Sequence, residues 1–250
     1  MAAARVTITT INTMGRMETE PALRRGQTGA LGHLRLLQLV SPALPIGGFT
    51  YSQGLEWAVE AGWVRDSATL GDWLEGLIDD GLGQLELPLL ARLHDACHRR
   101  DRAAIGHWGA LLYASRESRE LRAEEHQRAR ALINLLRDLG VDEAERWRDQ
   151  LLHCQAAPFA LAAVQWGIDV EACLLGYAWA WLESQVSAAV KLVPLGQTDG
   201  QRVQLALAAR LPAAVAHALR MADDDLGAGA PALAIASAHH ETQYTRLFRS

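Results

Sequence analysis

Lysine is nearly missing from this chain. Of its 24 Lys and Arg residues only Lys191 is a lysine. A compact ammonium does not substitute for a planar guanidinium, so a lone lysine among arginines marks either a helix-end charge or a placed contact. Cysteine is scarce as well. Cys97, Cys154 and Cys173 are far apart, odd in number and form no CxxC pair, which excludes a disulfide framework and a paired-cysteine metal motif and points to a reducing cytoplasm. Long apolar runs are absent. Residues 156–164 are too short a stretch to span a bilayer, and the opening Met1-Ala2-Ala3-Ala4-Arg5 does not lead into the continuous apolar core of a secretion signal. A net charge of −5 argues against wholesale nucleic-acid binding. No nucleophile elbow, Walker loop or dinucleotide fingerprint occurs. The segment Gly196-Gln197-Thr198-Asp199-Gly200 has two glycines and follows a helical pattern, not a strand, so it is no phosphate loop. Neither a catalytic residue nor a cofactor is expected.

What the sequence has in abundance is helical periodicity. Leu31, Leu34 and Leu37 open it, and Pro42 and Pro45 close the first helix. Gly47-Gly48 permits a tight loop. Thr50 and Gln53 fit a capping box for a helix through Leu55, Ala58 and Val59. Asp66 or Ser67 can cap a helix carrying Leu70, Trp73, Leu74, Leu77 and Ile78, which Pro88 should kink or restart. Asp101 can cap another, with Ile105, Trp108, Leu111 and Leu112, grading into the densely charged residues 115–130. There Arg116/Glu120 and Glu124/Arg128 stand at i,i+4. Pro158, Asp169 and Thr198 or Asp199 fit further helix starts, Gly140, Gly167, Pro194 and Gly196 fit ends, and Pro212 is a further break. With no βαβ alternation and no fixed repeat, the reading is an all-α, single-domain bundle of roughly eight to ten helices. The helical domain is placed at residues 31–238, a flexible N-terminal tail at 1–30, where residues 6–11 alternate like an isolated strand, and a partner-docking tail at 239–250.

Some clusters have a chemical reading beside a plain one. His94, Cys97 and His98 can share one helix face, a spacing that suits part of a site for a soft divalent metal. They lack a fourth ligand, and no metal site is assigned. His239 and His240 are adjacent and so point in different directions on a helix. Residues 115–130 read as a solvated face or a protein contact surface. The eight tryptophans read mostly as core. The ending Tyr244-Thr245-Arg246-Leu247-Phe248-Arg249-Ser250 interleaves aromatic, leucine and arginine side chains, the composition of interface anchors and not of a fraying end.

Four separated stretches together resemble the urease accessory protein F (UreF) family. They are Leu44-Pro45-Ile46-Gly47-Gly48-Phe49-Thr50-Tyr51-Ser52-Gln53-Gly54-Leu55-Glu56, then Ser115-Arg116-Glu117 to Leu121-Arg122, then residues 186–201 around Lys191, and finally His240-Glu241-Thr242-Gln243-Tyr244-Thr245-Arg246-Leu247-Phe248-Arg249-Ser250. They occur in the family's order between about His33 and Ser250. Phe49-Thr50 departs mildly from a Tyr-Ser pair, and residues 154–158 lack a histidine found in many relatives. The resemblance implies an all-helical, dimer-forming adaptor without chemistry of its own. It implies binding to the urease accessory D protein (H in some systems), recruitment of the accessory G GTPase, and help in GTP-dependent nickel insertion into apo-urease. Glu56, Lys191 and Gln197 match positions that engage the GTPase. Tyr51, Tyr244, Arg246, Leu247, Phe248 and Arg249 match regions associated with the D partner. Rival readings are a metal carrier using His94, Cys97 and His98, and a helical enzyme with a concealed site.

Overall fold

The computed structural model describes residues 20–227 and 229–250, with side chains from Gly29 onward. Among them every regular element is helical, as the periodicity predicts. In chain order α1 is Glu20–Leu39, α2 Leu55–Glu60, α3 Ser67–Gly76, α4 Leu87–His98, α5 Arg102–Ala114, α6 Arg119–Asp138 and α7 Asp142–Arg146. They are followed by α8 Arg148–Leu151, α9 Ala156–Gln165, α10 Val170–Leu192, α11 Gln197–Ala208, α12 Leu211–Ala218 and α13 Pro231–His240. Short segments such as α7 and α8 divide the chain more finely than the sequence suggests. Residues 1–19 of the expected N-terminal tail, including the strand-like alternation at 6–11, lie outside the described residues. From Glu20 the backbone is already helical.

Helix starts follow side-chain chemistry. Asp66 caps α3 in a reciprocal box with Thr69, and Asp101, Ser118 and Asp169 accept from the third residue of α5, α6 and α10. Between α3 and α4 lies a π-helical stretch, Leu77–Glu86. Pro88 falls in the first turn of α4, where its missing N–H costs least. A Cβ added at Gly83 would meet the Ile78 carbonyl oxygen at 2.9 Å, so the widened turn depends on that glycine.

α4 lies at the centre, packed on α5, α9, α10 and the π stretch. Its Leu89, Leu90 and Leu93 are fully buried, each worth roughly 1.5–3 kcal/mol of transfer free energy. α9 is buried along residues 156–163, which explains its unpatterned apolar sequence. The 23-residue α10 touches α2, α11 and α12. α13 lies on α2 and delivers the C-terminal segment back to the start of the domain.

Some local expectations give way to tertiary contacts. Thr50 and Gln53 form no capping box. Thr50 Oγ1 donates to the Gly47 carbonyl at 2.8 Å, and Gln53 sits at φ 52° with its amide drawn to Glu124 and Trp181. Gly54, at φ 79°, precedes α2 instead. A Cβ there would lie 3.0 Å from the Ser237 backbone nitrogen, so this glycine also admits α13. α5 does not run on into the charged stretch. It stops at Ala114, and Ser118 begins α6 anew. Arg116 lies in the break and turns inward, so the expected Arg116/Glu120 pair does not form, whereas Glu124/Arg128 does, at 2.8 Å. α11 starts at Gln197 with Gly196 at its cap, ahead of Thr198 and Asp199.

Candidate partner-binding site

The C-terminal segment is seated on its own domain. The Leu247 and Phe248 backbone N–H groups donate to the two oxygens of Glu56 at 2.6 and 2.9 Å. The Arg249 N–H donates to the Thr50 carbonyl at 2.9 Å, and the Ser52 and Gln53 N–H groups donate to the Ser250 carbonyl at 2.6 and 2.9 Å. Ser250 Oγ donates to Glu124 at 2.9 Å. The Phe248 ring is buried, and the Lys191 ammonium stands 5.7 Å from its centroid, a cation–π contact. Lys191 is exposed, in the last turn of α10, and among the described residues it has no carboxylate partner.

Glu56, Phe248 and Lys191 therefore meet in one place, the acid on the Phe248 backbone and the base over its ring. The sequence reading assigned Glu56 and Lys191 to one partner and the tail to another. In the structure Glu56 is a buried clasp whose carboxylate is taken up by the tail backbone. Tyr51 is also buried, and its hydroxyl donates to Gln127 at 2.8 Å, which accepts from Arg249 as well. Its phenol is held above its ordinary pKa by burial and by nearby Glu124. Tyr244, Arg246, Leu247 and Arg249 face outward, with Tyr244 fully exposed. Gln197 is exposed across the turn from Lys191, and no contact joins it to Glu56.

Beneath the tail lies a buried ionic network that the charge-rich sequence concealed. Arg116 pairs with Glu86 at 2.9 Å and with Glu125 at 2.6 Å. Glu125 also accepts the Gln155 N–H at 2.8 Å, and the Tyr177 hydroxyl reaches Glu86 at 3.3 Å. Burial opposes the Arg116 cation, yet Glu86 and Glu125 outweigh it and hold its pKa well above the ordinary value. Burial pushes the Glu124 carboxyl up despite Arg128 beside it. One face of residues 115–130 is thus structural glue, and the spacing of its charges did not reveal that. A cavity of about 100 Å³ adjoins this network, with Leu44, Ile46, Phe49, Trp181 and Lys191 among its lining residues.

His240 is fully buried between Glu120, at 2.6 Å from Nδ1, and Glu56, at 3.2 Å from Nε2. His239 stays outside and stacks on Trp57 with centroids 4.5 Å apart. The two histidines diverge as helix geometry requires. The His94, Cys97 and His98 face is not assembled as a metal site. The His94 ring is bonded to the Ile168 carbonyl at 3.1 Å, and burial pushes the Cys97 thiol up to about 12, so it is no ready thiolate. Among the described residues no group of three or more His, Cys, Asp or Glu side chains is gathered so as to hold a metal ion. Among the described residues no helix is long and apolar enough to cross a membrane. The clustered carboxylates are taken up by structural donors.

A family model described as UreF matches residues 64–208. The urease accessory protein UreF of Alcanivorax borkumensis is 53% identical over 223 residues, covering 86% of this chain and 97% of its own. That of a Pseudomonas putida strain is 53% identical over 220 residues, covering 88% of this chain and 98% of its own. That of Chromohalobacter salexigens is 50% identical over 242 residues, covering 94% and 100%.

Proposed function

The chain belongs to the UreF family of urease accessory proteins, and we propose that it serves urease maturation as a non-catalytic adaptor. In this reading it binds the accessory D (H) protein, recruits the accessory G GTPase, and assists GTP-dependent nickel insertion into apo-urease in the cytoplasm. The observation that carries the reading is the seated tail. Its backbone is fixed by Glu56, while Tyr244 and Leu247 hold large side chains out in solvent. Exposed aromatic and leucine side chains on a preorganised backbone lose little entropy on docking. They form the proposed contact to the D partner, with Arg246 and Arg249 beside them. Lys191 and Gln197 supply the proposed contact to the GTPase, and Glu56 serves both by fixing Phe248 under Lys191.

A homodimer is part of the proposal. Leu31, Leu34 and Leu37 of α1 and Leu175 and Trp179 of α10 are exposed on two helices that pack together, and a second copy would cover them. Light scattering that finds only monomer, alone and within the assembly, would remove this element.

The deciding experiment is co-expression with the D and G proteins followed by affinity capture. Tyr244→Ala with Leu247→Ala truncates two exposed side chains, so it should barely change the melting temperature while reducing capture of the D protein at least about tenfold, since two anchor residues typically supply more than 1 kcal/mol each. Undiminished capture by that variant would sink the assignment of the tail.

A further inference from the structure

Helix α6 sorts its charges by sign. Its three glutamates are turned into the protein or under the tail. Glu120 faces His240 and Arg246, Glu124 takes Arg128, Gln53 and Ser250, and Glu125 takes Arg116 and the Gln155 N–H. Glu241, just after α13, is held by the Arg119 and Glu120 backbone N–H groups. Arg119, Arg122 and Arg130 stand on another side of the helix. Among the described residues none of these three pairs with a carboxylate, whereas Arg128 and Arg137 of the same helix do. The Arg122 guanidinium is fixed in place by donating to the Arg116 carbonyl. A solvated helix ordinarily interleaves both signs at i,i+4. Here packing takes the acids out of view, and a chain of net charge −5 presents a face of positive sign.

The spacing gives that face its shape. Arg119, Arg122, His126 and Arg130 follow one another at intervals of three, four and four residues, which makes them one ridge of the helix, roughly 16 Å long at the α-helical rise. They line an open hollow of about 370 Å³. Tyr113 of α5 joins them there, its ring centroid 4.6 Å from that of His126. Burial, then His153 and Arg130, hold the His126 imidazole below its ordinary pKa, so near neutral pH the ring pair is an uncharged platform between guanidinium groups. The neighbouring ridge of α6 carries the tail, with Arg246 on Glu120, Ser250 on Glu124 and Arg249 on Gln127. The arginine ridge and the tail therefore lie side by side along α6.

We infer that this ridge is a docking surface for a carboxylate-bearing face of a partner protein that also touches the tail. Guanidinium groups take carboxylates in a planar, two-pronged fit, and arginine and tyrosine are side chains enriched at protein interfaces. The overall negative charge of the chain repels a long polyanion, so nucleic acid is the poorer occupant. Acidic side chains one helical turn apart on the partner meet the guanidinium groups at matching intervals. Exposed charges act mainly on encounter, so the ridge steers the partner and sets its register, while Tyr244 and Leu247 hold it. The preference for carboxylates is a property of the isolated chain. That the partner is the D protein rests on the adaptor reading.

The test has two arms. In the first, the full-length protein alone is titrated at low salt with a labelled helical peptide carrying glutamates along one face, with its glutamine counterpart, and with a single-stranded oligonucleotide of equal charge. The glutamate peptide should bind and its glutamine counterpart should not. Arg119→Gln with Arg122→Gln and Arg130→Gln should weaken that binding at least about tenfold and flatten its salt dependence. Equal binding by the triple variant, no binding of the glutamate peptide, or tighter binding of the oligonucleotide overturns the proposal. Arg122 also holds the Arg116 carbonyl, so Arg119→Gln with Arg130→Gln, two exposed positions, carries the test should the triple variant unfold. The second arm measures association with the purified D protein. The triple variant should slow association about tenfold at low salt, whereas Tyr244→Ala with Leu247→Ala should speed dissociation. A triple variant with the association rate and salt dependence of wild type overturns the ridge and leaves the tail assignment standing. A wild-type chain that does not bind the D protein sinks the adaptor reading and leaves the first arm to decide the ridge.

Discussion

Replacing Glu56 by Gln tests the tail clasp with the least change in shape. Glu56 is 7% exposed, and its two oxygens meet three groups: Leu247 N at Oε1, Phe248 N at Oε2, and His240 Nε2 at Oε2. Glutamine has one carbonyl oxygen. Placed at the Oε2 position, it keeps two of the three contacts and turns its NH₂ against the Leu247 N–H. One hydrogen bond to a charged acceptor is lost, at about 1.5–3 kcal/mol, and the two that remain become neutral bonds of roughly half the strength. The sum is about 3–6 kcal/mol against the seated tail, roughly a 100- to 10,000-fold shift in its opening equilibrium. The substitution removes no apolar side chain from the core, so the global melting temperature should move much less than the tail's protection. The assay is amide exchange at Leu247 and Phe248 near neutral pH. Protection within about threefold of wild type would refute the argument that Glu56 anchors the tail.

Three more perturbations follow. Arg116→Leu strands the Glu86 and Glu125 carboxylates in the interior and should cost about 3–5 kcal/mol, read as a lowered denaturant midpoint; a loss under about 1 kcal/mol would mean that water reaches the network. Burial holds the His94 ring below its ordinary pKa, with a backbone bond to Ile168 opposing. The folded chain therefore resists binding that proton, and His94 contributes stability above the ordinary imidazole pKa that is lost as pH falls below it. His94→Gln should accordingly narrow the drop in melting temperature between about pH 7 and about pH 5, and an unchanged drop would assign the acid sensitivity elsewhere. Lys191→Ala removes a half-open cation–π contact worth about 0.5–1 kcal/mol. It should barely change thermal stability while reducing capture of the GTPase, and normal capture would return Lys191 to a helix-end charge.

Much of the helical scaffold can be read from local chemistry. Asp66, Asp101 and Asp169 cap where their side chains can reach the third N–H, and Pro158 stands in a first turn, as expected. Legibility ends where a partner distant in sequence competes. Thr50 and Gln53 have the spacing of a capping box, but Glu124, lying 71 positions from Gln53, takes the glutamine amide, and Gly54 must leave room for α13. Residues 115–130 have the alternation of a solvated helix. A charge pattern records which residues are acidic and basic, not which side of them another helix will cover, so the burial of Arg116, Glu124 and Glu125 could not be seen. The tail composition reads as interface anchors for a partner, whereas the structure seats the Phe248 ring and the segment's backbone on its own chain and leaves Tyr244 and Leu247 exposed.

By itself, the sequence determined that the chain is helical, where most helices begin, that a lone lysine stands at a helix end, and that its motifs resemble one family. These properties depend on residues a few positions apart, within reach of one side chain. Only the tertiary structure decided that Glu56, His240, Phe248 and Lys191 share one locus, because up to 192 positions separate residues that hydrogen-bond there. It also decided that His240 is enclosed by two acids while His239 faces solvent. Enclosure on both sides requires α2, α6, α13 and the returning tail to meet, and that is set by packing of the whole domain and not by any short stretch of it.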